Sequence, residues 1–329
     1  MTSRIFDFGK LCVSLTLGLA ALGAPTAAPA QAQDKPVHFI LPVGAGSGVD
    51  VITRTAANAL SRALGQPVVI DNQPGAGGLV GTAAMIKSAP DGQTLSVVSN
   101  NHVIYPSVLK SLPFDPLSDI TPISVIGTTP MVLVVNPAKV PATNVRELVA
   151  FLKAKPGVYN YASSGNGTIL HLAAQMFVDE ARVDVKHIPY KGVGPMVADL
   201  IGGQVEMGVL SLPSIQGHLK SGALRAIGVG GLTRSAAAPD IPTIAEQGLP
   251  NYQVEGWFAV IGPARLPAAE VARIHAAVVA AFAAPEVSEA MARQGNSISP
   301  GSPEAAAQFF RSELAKYARL VKAAGVEAQ

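Results

Sequence analysis

Two Gly/Ser-rich turns, each set between a short apolar run and an amphipathic stretch, constrain this chain more than any other feature. The first reads Pro42-Val43-Gly44-Ala45-Gly46-Ser47-Gly48-Val49-Asp50. The second reads Tyr161-Ala162-Ser163-Ser164-Gly165-Asn166-Gly167-Thr168, with His171 following. A helix start carries unpaired backbone N–H groups and the positive end of the helix dipole. A strand-to-helix turn free of bulky side chains therefore lets a carboxylate or phosphate reach the backbone. Two such turns, far apart in sequence, predict a paired anion grip between two lobes.

The stretches around them alternate between two periods. Residues 37–41 and 68–71 read as strands, and Ile52, Ala56, Leu60 and Leu64 recur every four residues on one helical face closed by Gly65. Residues 72–78 form a turn opening a helix to about Ser88, and 95–99 a third strand. The second lobe has strands near 158–162 and 185–189, a helix over 168–179 and another after Gly194-Pro195. The long apolar stretch at 123–135, broken by Gly127 and Pro130, is expected to cross between lobes, with 252–261 returning as the other hinge strand. Tail helices over 267–283 and from Ser302-Pro303 to about Gly325 are expected to pack on the first lobe. The fold class is α/β, with parallel strands joined by crossover helices. The lobe limits are 33–128 with 256–329, and 129–255.

The first residues carry Arg4 and Lys10, then an apolar run over 11–23 and small residues ending Ala30-Gln31-Ala32. That is the layout of a secretory signal, with cleavage expected after Ala32, and the apolar run is shorter than the roughly 20 residues of a spanning helix. Cys12, the one cysteine, lies inside it, and Phe8-Gly9-Lys10-Leu11 lacks the pattern of a lipoprotein site. The exported chain then has neither disulfides nor thiolate metal sites. Its formal net charge, +2 in full, becomes +1 once Arg4, Lys10 and Asp7 are removed, which does not suggest nucleic acid.

The first turn lacks the Gly-Lys-Ser/Thr ending of a phosphate loop, and Gly44, Gly46 and Gly48 do not keep the dinucleotide spacing. Small-anion binding by backbone amides remains, beside a plain tight connection. Asp50 reads as a hydrogen-bonding residue of the helix start. Ser164 and His171 form a serine–base pair on paper, without the nucleophile elbow or an orienting carboxylate. His102, His171 and His187 have no metal-ligand spacing. Ligands of open α/β sheets bind beyond strand carboxyl ends, which adds the loops Asn100-Asn101-His102, Tyr190-Lys191-Gly192 and Leu210-Ser211. Trp257 reads as core, with cleft lining the lesser alternative.

These turns belong to a longer series. Asn72 to Gly78, Ala89-Pro90-Asp91-Gly92, Leu112-Pro113-Phe114-Asp115-Pro116, Asn160 to His171, Pro189-Tyr190-Lys191-Gly192, Gly202-Gly203-Gln204-Val205, Pro239-Asp240-Ile241-Pro242-Thr243 and Glu246-Gln247-Gly248-Leu249-Pro250 follow in order. On these residues the chain resembles the tripartite tricarboxylate transporter substrate-binding proteins, the Bug family of periplasmic receptors. The resemblance implies a two-lobed, type II-like flytrap that closes on a small organic carboxylate, held by the first turn and by 163–168. It implies delivery to integral-membrane transporter subunits from the periplasm by a monomer, without catalysis, metal or cofactor. Two departures stand out: many relatives carry threonine at Val49 and often aspartate at Leu210. A ligand with an apolar, aromatic or hydroxylated far end is therefore expected, rather than an amino acid. A signalling co-sensor and an exported serine hydrolase are the alternative readings.

Overall fold

The computed structural model describes residues 35–323 together with 325 and 328. The leader at 1–32, with its cleavage site and Cys12, lies outside the described residues. Strand β1 (Val37–Leu41) buries Val37, Phe39 and Leu41 completely. Helix α1 (Gly48–Leu64) follows the first glycine turn. Ser47 Oγ accepts the Asp50 N–H at 3.3 Å as N-cap, and Gly65 ends the helix with φ 68°. Its buried stripe includes Ile52, Ala56, Leu60 and Leu64, the face read from the sequence.

The chain continues through β2 (Val68–Asn72), a 3₁₀ turn (Ala76–Gly78), α2 (Leu79–Ile86), β3 (Thr94–Ser99), α3 (Asn101–Val108) and β4 (Ile120–Val135). Next come α4 (Val145–Lys153), β5 (Asn160–Ser163), α5 (Ile169–Ala181), β6 (Lys186–Pro189), α6 (Val193–Gly202), β7 (Met207–Ser211), α7 (Leu212–Lys220) and β8 (Arg225–Val229). The last part holds β9 (Glu255–Pro263), α8 (Ala268–Ala283), α9 (Pro285–Arg293), β10 (Ser297–Ile298) and α10 (Pro303–Ala323). Among the described residues no single helix is long and apolar enough to cross a membrane.

The strands lie in the order β2-β1-β3-β9-β4-β7-β5-β6, with β8 and β10 also pairing with β4. β4 is 16 residues long and serves both halves. Its residues up to Pro130 run antiparallel to β9, and Met131 to Val135 run antiparallel to β7. The sheet is mixed rather than all parallel as expected: β2-β1-β3 and β6-β5-β7 are parallel, while β9 and β4 oppose their neighbours. Parallel neighbours need a crossover, and the two long strands arrive from the other half without one.

Each half has its own packing. Phe39, Leu60, Leu95, Phe258 and Ile274 are buried together where α1 and α8 cover the sheet. Val132 to Val135 are wholly buried among Leu148, Phe177, Leu200 and Val209 in the other. Fully burying such a side chain contributes about 1.5–3 kcal/mol. Helix α8 lies on α1, and α10 lies on α3 and β4, where Trp257 meets Phe309 and Phe310 edge-on and donates its Nε1–H to Glu313 at 2.8 Å.

Two loops of the sequence reading are regular structure. Residues 100–102 begin α3, a helix of eight residues whose signal is hidden by Pro106 inside it. Leu210 and Ser211 end β7, which passes into α7 without an intervening loop.

Candidate functional site

The first glycine turn is held from behind by Asp50, whose side chain is almost fully buried. Its carboxylate accepts the Gly46 N–H, the Asn72 Nδ2–H and the Arg54 Nε–H, each at 2.9 Å. Asn72 also donates to the Val43 carbonyl at 3.1 Å and accepts from Arg54 Nη2 at 2.7 Å. The turn therefore keeps its shape without using the first-turn amides of Gly48 and Val49, which have no acceptor within their own helix.

The second turn is held by uncharged groups. Ser163 Oγ lies 2.6 Å from His187 Nε2 and accepts the Gly165 N–H at 3.2 Å. Thr168 caps α5 and donates to the Gly165 carbonyl at 2.8 Å. His171 Nδ1 accepts the Gly167 N–H at 3.1 Å, which assigns its proton to Nε2. The rings of His171 and His187 stack 3.9 Å apart and 7° from parallel, with Tyr161 stacked on His187 at 4.9 Å. Burial lowers the pKa of both histidines to about 4, and for His187 the neighbouring His171 adds to it. Both are therefore neutral at pH 7, as the Gly167 bond requires.

The two turns meet across one cleft. Asn101, on α3, joins them: its Oδ1 accepts the Ile169 N–H at the start of α5 at 2.8 Å, and its Nδ2 donates to the Gly77 carbonyl at 3.1 Å. Gly48 lies so close to β7 that a methyl group there would collide with the Ser211 hydroxyl. Behind this contact is an inner chamber of about 60 Å³, and outside it an outer chamber of about 720 Å³. Val43, Asn101, Ser164 and Val193 line both.

Of the residues expected to bind ligand, Val43, Ser47, Gly48, Val49, Asn101, Ser164, Leu210 and Ser211 line the inner chamber. Val43, Gly44, Asn101, Ser164, Gly165, Asn166, Thr168, Tyr190 and Lys191 line the outer one. Tyr190 donates to Asp199 at 2.8 Å, and its hydroxyl pKa is pushed up to about 12 by burial and then by that carboxylate.

Ala45, Gly46, Asp50, Ser163, Gly167 and His171 line neither chamber; as described, all but Ala45 are engaged in the bracing behind the turns. His102 also lines neither. Successive helix residues point about 100° apart, so Asn101 faces the cleft while His102 is packed among Tyr105, Phe114 and Phe310. Its Nε2 bonds the Pro116 carbonyl at 2.7 Å, and burial lowers its pKa to about 4.

The sequence reading missed Thr129, Met131, Phe258 and Val193 on the chamber walls, as well as the outer edge at 74–78. Trp257 is both core and inner wall. The break of the apolar run by Gly127 and Pro130 was the available signal for Thr129.

The family described as "Tripartite tricarboxylate transporter family receptor" matches residues 52–326. This chain belongs to that family. The receptor is 34% identical over 317 residues to Protein BugT of Bordetella pertussis, covering 96% of this chain and 97% of that one. The solved periplasmic binding protein BugD is 30% identical with a TM-score of 0.86, covering 89% of this receptor and 99% of BugD. R. palustris Rpa4515, solved with adipate, is 29% identical with a TM-score of 0.86, covering 89% of this receptor and 98% of that chain. The receptor thus has the two-lobed fold of periplasmic solute-binding proteins, and its family and solved neighbours are receptors of that kind.

Proposed function

We propose that this receptor captures a small organic carboxylate in the periplasm and delivers it to the membrane subunits of a tripartite tricarboxylate-type transporter. The observation that carries the reading is the meeting of both glycine turns at one cleft, with Asn101 and Ser164 at the junction of the two chambers. The adipate of Rpa4515 supports a carboxylate as the ligand class. The carboxylate sits at that junction, against the helix starts of α1 and α5 and the Ser164 hydroxyl. Hydrogen bonds to a charged group contribute roughly 1.5–3 kcal/mol each, so four or five offset ordering costs and reach the about 8 kcal/mol of a micromolar complex.

Residues 33–128 with 256–329 form one lobe and 129–255 the other, moving about β4 and β9. The carboxylate completes its hydrogen bonds only when the lobes are together, so binding favours the closed state. The chain acts as a monomer after losing its leader at Ala32, and it releases the ligand unchanged. Calorimetric titration of the refolded chain tests this. Carboxylates should bind and their neutral amides should not. Ser164→Ala should weaken binding about tenfold without any turnover in either form. Small-angle scattering should show compaction with a bound carboxylate; an unchanged radius would remove the closure step.

A further inference from the structure

We infer that the inner chamber selects the far end of the ligand, accepting a monocarboxylate with an uncharged, largely apolar tail and offering it one hydrogen bond from Thr129. The inference rests on the receptor reading above, with the carboxylate at the junction of the chambers.

No acidic, basic or histidine side chain lines the inner chamber. Its walls include Val49, Ile52, Met131, Leu210, Trp257 and Phe258, all buried. A second carboxylate or an ammonium entering it loses its hydration and meets no counter-ion, a heavy penalty in an apolar enclosure. An apolar tail meets the opposite situation and gains from leaving water.

The polar side chains of the wall are mostly occupied with protein partners. Asn100 donates to the Glu255 carbonyl and bonds the Tyr317 hydroxyl, while its Oδ1 accepts the Trp257 N–H. Ser211 and Ser214 bond each other. Thr129 differs: the residue is only 6% exposed, and its Oγ1 has no hydrogen-bond partner among the described residues. An unmet buried hydroxyl is costly, so a hydroxyl or carbonyl near the tip of the tail has a ready partner. Thr129 stands opposite Gly256, one residue before Pro130 ends the pairing of β4 with β9 and Met131 begins its pairing with β7. The strand that serves both halves thus reads the tail, so the fit of the far end acts on closure directly.

The test varies only the far end. Hexanoate, ω-hydroxyhexanoate, ω-aminohexanoate and adipate form one series; benzoate, para-hydroxybenzoate and terephthalate form a second, with hexanamide and benzamide as controls. Each is titrated calorimetrically into the refolded mature chain and into Thr129→Val, which keeps the β-branched shape in the strand. The neutral-tailed acids should bind. Adipate, ω-aminohexanoate and terephthalate should bind at least about tenfold more weakly than the unsubstituted acid of their series. Thr129→Val should weaken the hydroxylated acids about fivefold and leave hexanoate and benzoate unchanged. Adipate or terephthalate binding as tightly as the neutral-tailed acids overturns the inference while leaving a carboxylate receptor in place. Equal loss of hexanoate and ω-hydroxyhexanoate in Thr129→Val removes Thr129 from it. Silence of every acid and amide alike overturns the receptor reading, and the inference with it.

Discussion

The two glycine turns face one cleft but are held by different chemistry. Behind 42–50, the buried Asp50 carboxylate gathers a backbone amide, an asparagine and an arginine. Behind 163–168, a neutral imidazole accepts the Gly167 amide and a second imidazole holds the Ser163 hydroxyl. An anion-binding turn must present amides to its ligand, so whatever fixes its shape has to act from the far side. A carboxylate and a pair of stacked rings both do so, and they differ in what undoes them. The ionic brace leaves buried donors stranded if the anion is removed. The imidazole brace fails if the rings gain protons.

The largest expected effect is Asp50→Ala. It strands the Gly46 N–H and an arginine whose partner was buried, and should cost about 3 kcal/mol in chemical denaturation, with carboxylate affinity falling in parallel. Asp50→Asn keeps an acceptor and should recover part of it. A result below about 1 kcal/mol for the alanine variant would mean that the brace is dispensable and the contrast between the turns empty.

His187→Ala should follow at about 2 kcal/mol, from the lost Ser163 bond and ring stack. This side of the comparison is acid-sensitive. His171 and His187 have folded pKa values near 4 against a model value of 6.5, so between those values the unfolded chain binds more protons. Stability should be full above about pH 6.5 and decline as pH falls through about 4. His102 contributes in the same direction. The melting temperature measured from pH 7 down to 4 should fall, and less steeply in the double variant His171→Asn/His187→Asn. An equally steep fall in that variant would place the acid sensitivity elsewhere.

Gly48→Ala separates binding from stability. Its methyl group would meet the Ser211 hydroxyl where the halves touch, so carboxylate affinity should drop about tenfold, near 1.4 kcal/mol, while the unfolding midpoint hardly moves. The smallest effect is Arg54→Gln. Arg54 is half exposed, and its pair with Asp50 should contribute about 0.5 kcal/mol, vanishing at high salt.

The sequence showed both turns because glycines and serines interrupt otherwise regular apolar patterns, and Ser47, Gly65 and Thr168 stand at the positions that cap helices. It showed β4 and β9 as crossing strands because an apolar run of that length exceeds an ordinary strand. What stayed hidden was direction. Nothing in Asn100-Asn101-His102 tells which side chain faces the cleft until α3 sets them about 100° apart. The bracing role of His187 likewise depends on β5 and β6 lying side by side, which brings Ser163 and a residue 24 positions later into contact. Thr129 was obscured by its surroundings, since a long apolar stretch reads as core throughout.

The placement of β9 has a further consequence for how the chain acquires its shape. β3 takes β9 as its neighbour, and β9 lies about half the chain further on. Until that segment has been made, β3 keeps an open edge and the first half remains unfinished, while β5, β6 and β7 lie close together in sequence and can pair early. Such distant pairing folds slowly. An order of assembly in which the interrupted half is completed last keeps the polypeptide extended for longest, a useful property for a chain that has to leave the compartment of its synthesis before it closes on anything.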